Sequence, residues 1–128
     1  MRRSYYIVVV LIIIGFFLIQ SFSVGEAIQK DRSIFPAGVK KVIDNKCYGC
    51  HNANGKSQIA KAALIWDSLP NLQKGEMVAR FDKIIRVLTK SIMPPESAVK
   101  RSPEMKLSPE ESKLLLSWAE ARADSLLK

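Results

Sequence analysis

The chain has 128 residues, 48% of them hydrophobic, and its 20 Lys and Arg against 12 Asp and Glu give a net charge of +8. That length holds one small domain and leaves little room for a second. Two cysteines and a single histidine exclude a disulfide-dense scaffold and any site built from several imidazoles.

At the N-terminus, Arg2 and Arg3 precede an uncharged run over residues 4–25, and Tyr5 to Ile19 reads YYIVVVLIIIGFFLI. Basic residues ahead of such a run start translocation, either as a cleaved signal peptide or as an uncleaved anchor. The run reaches the ~20 residues that a helix needs to cross a bilayer. A signal anchor or signal peptide, forming an N-terminal hydrophobic helix, is therefore expected over residues 1–25. Small residues at Ser21, Ser23, Gly25 and Ala27 offer cleavage points for the second form. Either form exports the remainder, and export argues against nucleic acid as the partner of this basic chain. A polar tether is expected over residues 26–34, followed by the folded domain over 35–128.

Three main helices are expected in that domain. The first spans about Pro36 to Cys47, with Val39, Val42, Ile43 and Cys47 spaced for one face. A short helical piece over Ala60 to Trp66 lies between two breaks, Asn52-Ala53-Asn54-Gly55 and Ser68-Leu69-Pro70-Asn71. The second main helix spans about Glu76 to Lys90. Met77, Phe81, Ile84, Ile85 and Leu88 fall on one face, and Lys83, Arg86 and Lys90 on the other. The third is announced by Ser108-Pro109-Glu110-Glu111, a serine cap, a proline in the first helical position and a glutamate three residues after the cap. Leu114, Leu115, Trp118 and Ala119 follow at helical spacing, and the helix should run to about Leu126. With no strand pair and no internal repeat, the fold class is all-α.

The first helix runs into Cys47-Tyr48-Gly49-Cys50-His51. Three chemistries compete for this run. A closed zinc site needs four ligands, and no second Cys or His pair exists to complete it. A reactive dithiol is expected at the start of a helix in a βαβ setting, where the dipole lowers a thiol pKa, whereas this pair ends a helix in an all-α pattern. The third chemistry, covalent haem attachment, is specified by the five residues alone. Cys47 and Cys50 would each form a thioether to the porphyrin, and His51 would be the proximal iron ligand. A fixed haem also offers apolar surface to a domain of about 90 residues whose own core is small.

An iron held by His51 needs a second axial ligand to carry electrons without binding gases. With no other histidine, methionine is the natural choice. Met77 sits on an apolar helix face and reads as core. Met105 lies in a polar loop, Ser102-Pro103-Glu104-Met105-Lys106, and reads as a packing or surface residue. Met93 stands in Ser91-Ile92-Met93-Pro94-Pro95, where the following prolines push the chain out of the helix and stiffen it. Met93 is therefore the expected distal ligand.

Together, CYGCH, Met93-Pro94-Pro95 and the Leu107-Ser108-Pro109-Glu110-Glu111 start leading to Leu115 and Trp118 resemble small monohaem c-type cytochromes, especially the exported or membrane-anchored bacterial haem-binding domain family. The resemblance covers about Val39 to Ala121. It implies a cytochrome c-like domain of three main helices around one covalently attached haem c, with thioethers at Cys47 and Cys50 and iron ligation by His51 and Met93. It also implies a location on the periplasmic face of a bacterial inner membrane, and Trp66 and Asp67 look like the tryptophan-centred segment of these domains. The turn after His51 departs from the aromatic-rich stretch of many relatives.

The expected function is single-electron transfer between redox partners, as a carrier and not an enzyme, with Lys83, Arg86 and Lys90 available to dock an acidic partner. Two alternatives are a gas-binding sensor with a labile sixth ligand and a fixed subunit of a larger respiratory complex. Trp118 is expected in the core. Trp66 is expected to pack, or to donate its indole N–H to a haem propionate.

Overall fold

The computed structural model describes residues 34–128. The expected hydrophobic helix and all of the tether except Ile34 lie outside them. Among the described residues every regular element is helical, and no helix is long and apolar enough to cross a membrane.

Helix α1 (Ala37–Lys46) is capped by Pro36 and ends at Cys47, so both residues flank the helix. The backbone turns sharply there, since the amides of Cys47 and Tyr48 both donate to the Ile43 carbonyl, at 2.9 and 2.8 Å. Helix α2 (Gln58–Ala63) starts two residues before the expected piece and stops well short of Trp66. Ser57 causes the early start by accepting from the Ala60 amide at 3.2 Å. Leu64 and Ile65 are extended, and Trp66–Asn71 forms a 3-10 turn in which Pro70 is accommodated. The expected break at Ser68 to Asn71 is thus a tight turn of helix.

Helix α3 (Lys74–Thr89) begins two residues before the expected boundary. Leu72 before its cap and Met77 in its second turn occupy the positions of a hydrophobic staple, and both pack on the core. Its C-terminus closes with the Ser91 amide on Leu88 and the Ile92 amide on Val87, around Ser91 in the left-handed region (φ 52°). This is a Schellman closure made without glycine, and it turns the chain directly into Met93. Helix α4 (Glu96–Arg101) and a 3-10 turn over Pro103–Met105 follow. The sequence reading had neither, because six and three residues are too few to show a period. Helix α5 (Pro109–Leu127) starts on the expected capping box, with the Glu111 amide on Ser108 Oγ at 3.1 Å and the Ser108 amide on Glu111 Oε2 at 2.8 Å.

The core lies where α3 packs along α5 and α1 packs against α5. Phe81 and Leu69 are fully buried, and Val39, Val42, Ile43, Ile84, Leu88, Leu115 and Ala119 surround them. Four aromatic rings form one cluster. Trp118 stands 5.3 Å from Phe81, 5.6 Å from Phe35 and 6.3 Å from Trp66, and its indole N–H donates to the Ile34 carbonyl at 2.8 Å. Trp118 is therefore a core residue with its polar atom satisfied. One expected face residue is misplaced, because Leu114 is 43% exposed. The buried stripe of α5 runs through Leu115, Trp118, Ala119 and Ala123. Leu114 lies on its edge opposite Gly38, which has no side chain to cover it.

Candidate functional site

Side chains from both halves of the domain, between Lys46 and Leu115, line an open cavity of about 330 Å³. Cys47, Cys50, His51 and Met93 all line it, so the four expected site residues meet in one place. Its walls are mostly apolar, from Leu64, Trp66, Ile84, Val87, Leu88, Pro94, Ala98, Leu107 and Leu115. Lys83 and Arg86, exposed on α3, stand at its edge with Arg80. Arg80 is spent on the chain itself, with its guanidinium donating to the Ala63 carbonyl at 2.6 Å.

The attachment run is shaped by its own backbone. Cys50 and His51 both donate to the Cys47 carbonyl, at 3.2 and 3.1 Å, which winds the three side chains around a single turn. The loop beyond closes as an Asx turn, with the Asn54 amide on Asn52 Oδ1 at 2.7 Å, while the Asn52 side-chain amide donates back to the Tyr48 carbonyl. Gly55 completes it, because a Cβ there would lie 2.5 Å from the Cys50 carbonyl oxygen. Only glycine lets the loop pass this close to the run.

A second segment, residues 64–67, is stitched across the run. The His51 carbonyl accepts from the Trp66 amide at 3.0 Å, and the Tyr48 hydroxyl reaches both carboxylate oxygens of Asp67, at 2.8 and 3.1 Å. Asp67 raises the Tyr48 pKa through this bond. Most important, His51 Nδ1 lies 3.0 Å from the Leu64 carbonyl oxygen. A carbonyl only accepts, so Nδ1 carries the proton and Nε2 keeps its lone pair free for a metal. A ligating histidine needs this kind of outer partner. The sequence could not reveal it, because a backbone carbonyl has no residue identity.

The Cys47 thiol does not suit reactive dithiol chemistry. Cys47 and Cys50 are not joined in a disulfide. Burial pushes the Cys47 thiol up to about 12, with smaller contributions from the Glu111 carboxylate and Cys50, the reverse of what activates a thiolate. Among the described residues no three His, Cys, Asp or Glu side chains are grouped closely enough to hold one metal ion between them.

No family model, curated protein or solved structure matches this chain. Function is therefore read from the residues themselves. A mainly apolar group that carries a metal suits these residues: the cavity walls are mostly apolar, a histidine nitrogen is oriented by a carbonyl, and a thioether lines the same space. The indole N–H of Trp66, buried and without a partner among the described residues, belongs to another side chain lining the cavity. A bound acceptor would satisfy it.

Two further residues line the cavity. Met105, expected in packing or at the surface, is half-buried and lines the cavity. Lys46, which attracted no notice in the sequence, lines it as well.

Proposed function

We propose that this chain is an exported, membrane-tethered monohaem c-type cytochrome that passes single electrons between redox partners. The observation that carries the reading is the convergence of Cys47, Cys50, His51 and Met93 on one apolar cavity, with His51 Nδ1 fixed by the Leu64 carbonyl. When bound, haem supplies an iron that takes up and releases one electron. Cys47 and Cys50 would hold the porphyrin through thioethers, so that the group would stay attached. The Leu64 carbonyl would orient His51 and raise its basicity as a ligand. Met93, on a segment stiffened by Pro94 and Pro95, would be the second protein ligand at little ordering cost and would favour electron transfer over gas binding. The mostly apolar walls would lower the polarity around the metal. Lys83 and Arg86 at the cavity edge would meet an acidic partner surface, where complementary charge speeds encounter without demanding tight binding.

The carrier and sensor readings separate in one experiment. Protein matured with haem is titrated through its redox transition, and the ferrous form is then exposed to carbon monoxide. A carrier shows a reversible one-electron transition and an unchanged ferrous spectrum. Ready carbon monoxide binding at neutral pH replaces the carrier with a gas-binding sensor. Co-purification of a stable assembly from solubilised membranes would point instead to a fixed subunit of a larger complex.

A further inference from the structure

The cavity is lined by two thioethers, Met93 and Met105. They are presented differently. Met93 is held by a stiff loop, whereas Met105 ends the 3-10 turn Pro103–Met105, its amide donating to the Ser102 carbonyl at 3.0 Å. That turn is clamped from across the molecule. Lys46 Nζ donates to the carbonyls of Glu104 and Lys106, the residues on either side of Met105, and lies 3.8 Å from Glu111 Oε2. With only 18% of its side chain exposed, Lys46 spends its charge on main-chain oxygens instead of water. It is also the last residue of α1, directly before Cys47. One ammonium thus joins the attachment run to the backbone around Met105, and leaves that methionine's flexible side chain free to sample the cavity.

We propose that Met105 is a reserve axial ligand, which takes the iron when Met93 is displaced. The inference rests on the haem reading and assigns a second ligand to the same site. A tethered ligand competes at a high local concentration, which for short tethers reaches millimolar or more. Met93 holds first place because its proline-flanked segment has less conformational freedom to lose. Met105, pinned in its backbone and mobile in its side chain, comes second, ahead of ligands from solution.

The test compares haem-loaded wild type, Met93→Ala, Met105→Ala and the double variant. Thioether attachment through Cys47 and Cys50 keeps the haem in all four. Two readouts are taken, the ferric far-red sulfur-to-iron absorption and the carbon monoxide affinity of the ferrous form. Met93→Ala should keep a far-red band, shifted from wild type, and the double variant should lose it. If Met105 occupies the iron in about nine molecules of ten, carbon monoxide affinity in Met93→Ala is about tenfold weaker than in the double variant. Adding Lys46→Leu to Met93→Ala releases the clamp without adding a thioether and should move both readouts towards the double variant. Identical behaviour of Met93→Ala and the double variant overturns the inference and leaves the haem reading intact. Loss of the band in Met105→Ala alone overturns both the reserve role and the assignment of Met93. A wild type without haem overturns the whole reading of the site.

Discussion

Around Phe81, side chains from α1, α3 and α5 close on one another until Phe81 itself is fully buried, whereas around His51 some of the same helix surfaces leave a cavity of about 330 Å³. Trp66, Ile84, Leu88 and Leu115 belong to both regions. The indole N–H of Trp118, in the packed region, is matched to a carbonyl. The indole N–H of Trp66, which reaches both regions, has no partner among the described residues, and the neutral His51 ring keeps a lone pair on Nε2. A cavity walled by apolar side chains forfeits their dispersion contacts and costs stability. The contrast therefore separates what the protein needs in order to fold from what it keeps open for a ligand.

That separation can be broken from either side. The largest effect is expected in the packed region, where Phe81→Ala removes a fully buried ring set edge-on to Trp118. It should cost about 3–5 kcal/mol, measured by urea unfolding, with or without haem. Next comes the loop that supports the open region. Gly55→Ala forces a Cβ against the Cys50 carbonyl and should cost about 1–3 kcal/mol, while lowering the yield of attached haem on a stained gel.

Filling the cavity tests the comparison most sharply. Ala98 is buried and lines the cavity from α4, so Ala98→Leu projects new carbon atoms into the space. The haem-free chain should gain about 1–2 kcal/mol while haem loading falls. A loss of stability in the haem-free chain would mean that the cavity is not open in solution.

The last effect is absent at neutral pH and develops only in alkaline solution. Cys47 is raised from 9.0 to about 12 by burial, by Glu111 and by Cys50. In that window the folded chain retains a proton that the unfolded chain has released. Stability is thus fully present below pH 9 and falls as the pH rises towards about 12. Tyr48, raised by Asp67, adds a slope of the same sign. Urea titrations across this range should show a steeper loss for the haem-free chain than for the haem-loaded chain, in which the Cys47 proton no longer exists.

The local features were legible in the sequence, and the distant ones were not. CYGCH is contiguous, the capping box of α5 is contained in four residues, and Met93 is marked by the prolines that follow it. The faces of α1 and α3 could be read because ten and sixteen residues show their period. The Leu64 carbonyol that fixes His51 could not be read, since its role depends on position and not on side chain. The Lys46 clamp joins residues 58 and 60 positions apart, and its acceptors are again carbonyls. That Met105 lines the same cavity as Met93 could not be read either, because its polar neighbours conceal the short turn on which it sits. Leu114 failed for another reason: helical spacing places it beside the buried stripe, and only the glycine opposite decides that it stays uncovered.

The central claim is that Cys47, Cys50 and His51 line a cavity made to hold a covalently attached haem. The most direct measurement is expression of the full chain with a c-type haem maturation system, followed by a denaturing gel stained for haem and an intact mass. A haem-stained band at the mass of the chain plus one haem is expected, lost when Cys47 and Cys50 are both replaced by serine. A colourless wild-type band of unmodified mass would contradict it.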